Sequence, residues 1–216
     1  MSNSDGFVEE VSEELRKDQM AHYMRRYGWI AVLAVLLLVG GAAWREWRAV
    51  NIQEMAQLRG DLLLSAMEHA EPEARIAALD AVADADTAIL LPALLASSEE
   101  LAMGDNEAAA ARLDTLAANQ DIDSIYREMA QLKALIIRAE ILPEDELRSG
   151  LEALAAAGAP FRLLAQEQIA YSYLRAGDTA AVLAQLATIL EDAELQGGLR
   201  ERATNLTVAL GGELAE

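Results

Sequence analysis

The chain has 216 residues, with 36 Asp plus Glu against 17 Lys plus Arg and a formal net charge of −19. That excess repels nucleic acid and anionic headgroups, so nucleic acid is excluded as a partner. The absence of cysteine excludes disulfides, thiolate catalysis and cysteine metal sites, and leaves the chain indifferent to an oxidising compartment.

Residues 1–6, MSNSDG, read as a disordered tip, because Ser, Asn, Asp and Gly favour turns over helix. From Phe7 to Tyr23 the positions Phe7, Val8, Val11, Leu15, Gln19 and Tyr23 keep helical spacing among dense charges, which predicts a short amphipathic helix. Its edge rests on the inner leaflet, on a partner or in solvent; the spacing does not choose.

Residues 27–44, YGWIAVLAVLLLVGGAAW, contain no Asp, Glu, Lys, Arg or His. At about 1.5 Å of rise per residue, residues 27–47 reach roughly 30 Å as a helix, the thickness of a bilayer's hydrocarbon core. Tyr27 and Trp29 stand at one end, Trp44 and Trp47 at the other, where amphipathic rings sit at the two interfaces. Arg25 and Arg26 flank one end and Arg45 and Arg48 the other, placed to snorkel towards headgroups. The reading is a transmembrane helix over 27–47. A buried soluble helix would carry a polar face, which this run lacks. A cleavable signal peptide is the nearer rival, since Gly41, Ala42 and Ala43 are small. Against it stand a long, acid-rich leading segment and Trp44 just after the cut.

Orientation rests on a narrow margin. Arg16, Lys17, Arg25 and Arg26 precede the span, while Arg45, Arg48 and Arg59 follow it. A short arm stays inside and long domains translocate largely regardless of charge, so residues 1–26 are expected in the cytoplasm and 48–216 outside it.

Residues 49–216 hold 29 Asp plus Glu against 11 Lys plus Arg and are long enough to bury a core. Ile52, Met55, Leu58, Leu62, Leu63, Met67 and Ala70 carry helical periodicity on from the span. Pro72 fits the first turn of a second helix with Ile76, Leu79 and Val82 as its apolar face. Asp84, Asp86 and Thr87 supply a turn and cap before a helix over 89–103. Gly104 and Asp105 end that helix and cap the next, 107–118. Helices over 125–142, from Pro143 through 147–157, from Pro160 to 176, over 180–190, and a final one preceded by Gly197-Gly198 and running through Leu210 complete the pattern. No sustained period-two alternation occurs, so no sheet is expected.

Gly104-Asp105 and Gly177-Asp178 mark two helix hairpins. The clearest unit is AYSYLRAGDTAAVLAQL: small Ala170 for close packing, Tyr173 for the pocket between paired helices, and Gly177-Asp178 for the turn. The earlier unit keeps the turn and Ala109 but has Ser97 and Glu100 at the small and aromatic positions. This pattern resembles the tetratricopeptide repeat. The expected fold is all-α: one transmembrane helix, then a tetratricopeptide-repeat-like α-solenoid of helix hairpins.

Taken together, FVEEVSEELRKDQM, the RRYGW lead-in to one span and the Ala-rich array ending AGDTAAVLAQLATILEDAELQGGLRERATNLTVAL resemble the bacterial ancillary Sec-translocon subunit family. That resemblance implies an inner-membrane protein with its repeat domain in the periplasm, linking the channel to periplasmic chaperones. An alternative is a structural or assembly subunit of another inner-membrane complex, held by its span and N-terminal helix.

No catalytic constellation is present. His22 and His69 fall on opposite sides of the predicted span and share no metal. Asp121 and Asp123 begin like a calcium loop, but Tyr126 and Leu132 occupy the glycine and bidentate Glu positions. The expectation is a binding protein with no cofactor, metal or small-molecule substrate. Tyr171 and Tyr173 are candidates for lining a groove or for packing.

Overall fold

The computed structural model describes the backbone of residues 4–85 and 89–213, and side chains outside residues 1–24, 27, 28, 31, 32, 85–88 and 214–216. Among the described residues the secondary structure is nine α-helices and no strand. The chain divides into two units, 1–60 and 61–216.

Within the first unit the described residues, 4–60, belong to α1, Ser4–Met67, a single helix of 64 residues. The expected tip is therefore already helical from Ser4, and residues 1–3 lie outside the described residues. The arm's apolar edge and Tyr27 likewise lie outside the described side chains. Trp29, Trp44 and Trp47 are 63%, 64% and 63% exposed, and Ile30, Leu33 and Val35 to Val39 are exposed with them. Among the described residues, no helix is long and apolar enough to cross a membrane. The predicted single span is thus not found in the described residues.

Residues 61–216 contain the end of α1 and α2 (Pro72–Ala85), α3 (Leu90–Ala102), α4 (Asn106–Ala118), α5 (Ser124–Ile137), α6 (Glu144–Leu154), α7 (Arg162–Arg175), α8 (Thr179–Leu190) and α9 (Gly197–Ala209). From α2 onward, packing runs chiefly between consecutive helices. The core is correspondingly segmented into four clusters. Leu63 and Ala66 of α1 meet Leu79 of α2 and Ala96 of α3. Leu113 and Leu116 of α4 pack with Ala130 and Ala134 of α5 and with Leu90 and Leu94 of α3. Leu132 of α5, Leu147 and Leu151 of α6, and Ala165 and Ile169 of α7 form the third. Ala170 of α7, Val182, Leu186 and Ile189 of α8, and Leu199 and Ala203 of α9 form the fourth. Each odd-numbered helix from α3 to α7 is shared by two clusters. That order is compatible with a solenoid, in which each layer rests only on its neighbours.

Helix boundaries and caps depart from expectation in four places, one being α6, which ends at Leu154 rather than 157. No side chain caps α3: its N-cap is Ile89, and Asp86 and Thr87 lie outside the described residues. Helix α5 ends at Ile137 rather than 142, with Arg138 at its C-cap and the Arg138 side chain reaching Glu107 and Asp114 of α4. Gly197 and Gly198 fall inside the first turn of α9, not before it.

Candidate functional site

Both Gly-Asp turns close in the same way. Gly104 and Gly177 take φ of +82° and +75°, a left-handed conformation that costs a side-chain-bearing residue about 1–2 kcal/mol. The amide of Asp105 donates to the Glu100 carbonyl at 2.9 Å, and that of Asp178 to the Tyr173 carbonyl at 3.0 Å, each satisfying an orphan carbonyl of the preceding helix. The same aspartates then cap the next helix: Oδ1 of Asp105 accepts from the Ala108 amide at 3.1 Å, and Oδ1 of Asp178 from the Ala181 amide at 3.0 Å.

The two hairpins also bury matching positions. Seven residues before the glycine stand Ser97 and Ala170, both buried, and nine after it Leu113 and Leu186. Tyr173 fills the space between the third and fourth core clusters and touches both, while the Arg148 guanidinium lies over its ring at 5.1 Å. In the earlier unit Glu100 occupies that place, only 7% exposed. Its carboxylate takes Nε of Arg112 at 3.0 and 3.1 Å and Nη2 at 2.6 Å. Arg112 also bonds Asp80 of α2, so one guanidinium ties α2, α3 and α4 together. The bonds to Glu100 and then Asp80 hold the Arg112 pKa above its ordinary value. A buried ion pair thus replaces the aromatic, and the signal was legible only as a charge in an apolar register. Ser97 does serve as the small residue, and its hydroxyl donates to the Ala109 carbonyl at 3.4 Å.

Other arginines repeat the device. Arg138 bonds Glu107 and Asp114, Arg162 bonds Asp192 and Glu194, and Arg202 of α9 takes both oxygens of the buried Glu167 of α7. The hydrogen bond from Arg138 holds the Glu107 carboxyl below its ordinary range, and that from Arg162, aided by the Glu194 amide, does the same for Asp192.

A surface groove lies where the α5–α6 turn meets α7, lined by Ile136, Glu140, Ile141, Gln168, Tyr171 and Arg175 among others. Ile141 is 66% exposed, and Ile136 is exposed beside it. Tyr171 therefore lines a groove, while Tyr173 packs. Arg175 faces Glu144, the first residue of α6, at 3.6 Å. Beneath the groove α5 and α6 approach closely: a Cβ at Gly150 would stand 2.9 Å from Leu135. The atom met is the end of the Leu135 side chain, and this contact had no sequence signal of its own.

The predicted anchor residues Arg25, Arg26, Trp29, Trp44, Arg45, Trp47 and Arg48 all lie on α1 and are exposed. Among the described residues no group of three His, Cys, Asp or Glu side chains is arranged to hold a metal ion. Asp121 and Asp123 lie at the turn before α5, where the Asn119 side chain accepts from the Asp121 amide. No family model, curated protein or solved structure matches the chain.

Proposed function

We propose that the chain is a non-enzymatic, single-span membrane protein whose residues 48–216 form a tetratricopeptide-repeat-like solenoid that acts by binding other proteins. Residues 27–47 are the anchor in this reading. The observation that carries it is α1 itself. One helix, Ser4–Met67, holds the Trp-bracketed apolar run with its exposed side chains and also Leu63 and Ala66 of the first core cluster. Exposed tryptophan, leucine and valine along several consecutive turns are costly in water and favourable in lipid. Anchoring concentrates the array beside a membrane complex, so that even a weak contact is occupied.

By its resemblance, the partner is the Sec channel of a bacterial inner membrane. The N-terminus is then cytoplasmic, and the array in the periplasm hands emerging chains to chaperones. The same resemblance and the absence of any catalytic constellation support a scaffold rather than an enzyme. A second reading, a subunit of another inner-membrane complex held through its anchor, is favoured by exposed Ile52, Met55, Leu58 and Leu62 on α1, a face that a partner helix would cover.

One experiment separates the two. Residues 1–48 are replaced by an unrelated anchor, and neighbours are crosslinked in native membranes. Translocon components retained with the array support the first reading; components of another complex that are lost with the anchor support the second; no translocon component with the native chain overturns the Sec assignment.

A further inference from the structure

Residues 61–216 contain 28 Asp plus Glu against 10 Lys plus Arg. Six of those basic residues, Arg75, Arg112, Arg138, Arg162, Arg175 and Arg202, are held in ion pairs within the array. Arg148 rests over Tyr173. Most of the cations thus join helices to one another, Arg127, Lys133 and Arg200 remain besides, and the charge left to meet a partner is predominantly carboxylate. Against that background the groove between the α5–α6 turn and α7 pairs exposed Ile136 and Ile141 with Tyr171, Glu140 and Arg175, the last of which faces Glu144 at 3.6 Å. Directly after it in the chain, Glu144, Asp145 and Glu146 open α6, and Asp145 and Glu146 are exposed.

We infer that this groove docks a polypeptide segment that is both apolar and cationic, alternating leucine-like side chains with lysine or arginine. The inference rests on the reading of the array as a protein-binding scaffold and narrows it to one surface and one class of partner. The isoleucines and Tyr171 supply apolar contact, Glu140 offers a carboxylate to a positive charge, and the net negative charge of the array speeds the encounter. A second copy of the chain brings the same net charge of −19 and is repelled. A purely apolar segment gains nothing from Glu140, and an acidic one is repelled by it.

The native chain has no cysteine, so a single Ile141→Cys on the full chain in nonionic detergent carries a unique bimane reporter, and Val208→Cys, 58% exposed on α9, carries its control. The probes are a short Leu/Lys peptide with one central tryptophan, which quenches bimane on contact, and its Leu/Glu counterpart. The expected result is saturable quenching at residue 141 and none at 208, with helical circular dichroism unchanged. Adding Glu140→Lys or Ile136→Ser weakens the titration by about tenfold, equivalent to one lost contact of ordinary strength. Raising the salt from about 0.1 M to about 1 M, which shortens the screening length from about 10 to about 3 Å, weakens it as well. Equal quenching at both sites, silence at 141, equal response to the Leu/Glu peptide, or a signal at 141 that follows protein concentration without peptide each overturn the assignment. Silence at 141 together with retained translocon crosslinks to the array removes the groove alone, whereas loss of every protein neighbour removes the scaffold reading on which it rests.

Discussion

Asp105 and Asp178 each follow a glycine in left-handed conformation, and each closes one helix while opening the next. Two demands therefore meet at each pair. Asp178→Ala leaves an unsatisfied amide at the start of α8 and is expected to cost about 1 kcal/mol, and Gly177→Ala about 1–2 kcal/mol, both read from thermal unfolding followed by circular dichroism. Tyr173 is the joint between two core clusters, so Tyr173→Ala is expected to cost about 3 kcal/mol, with Tyr173→Phe near neutral because the ring does the packing. Where Glu100 replaces the aromatic, the stabilisation is a charge pair. A double-mutant cycle of Glu100→Gln and Arg112→Gln is expected to show a coupling of about 1–3 kcal/mol. Additive single effects would mean that the pair is ornamental.

At the scale of helices, acid should loosen the array. Arg138 and Arg162 hold the carboxyls of Glu107 and Asp192 below their ordinary values, so the folded chain takes up protons there less readily than the unfolded one. The stabilisation is complete above the unfolded carboxylate values of about 4 and is lost as pH falls through the lower folded values. Melting temperature between pH 7 and pH 3 should drop in the acid limb, and Asp192→Asn should flatten that drop. Much of this architecture was legible in the sequence. Period-3.6 spacing and turn residues placed the helices, and the Gly-Asp pairs placed the helix ends at two turns to within one residue. What escaped depends on contacts between distant segments: Arg138 at the end of α5 pairs with Glu107 of α4, and Gly150 of α6 lies against the Leu135 side chain of α5. The groove was only half legible, since Tyr171 and Tyr173 share one spacing and only the fold decides that one lines it while the other is packed away.

For the molecule as a whole, the account turns on α1. A charge placed in the middle of the proposed span, Leu37→Arg, should cost about 2.5–3.5 kcal/mol of insertion and shift the chain from membrane to aqueous fractions after alkaline extraction. The three tryptophans of the protein, Trp29, Trp44 and Trp47, all lie on α1 and nowhere in the helix array, so their fluorescence reports on this segment alone. Full-length chain reconstituted into bilayers of brominated lipid gives the direct measurement. The account predicts strong quenching, greatest for bromines near the headgroup end of the acyl chain, where the rings at the two ends of the span reside. Tryptophan emission that ignores the bromines, at the intensity found in unbrominated lipid, would contradict it.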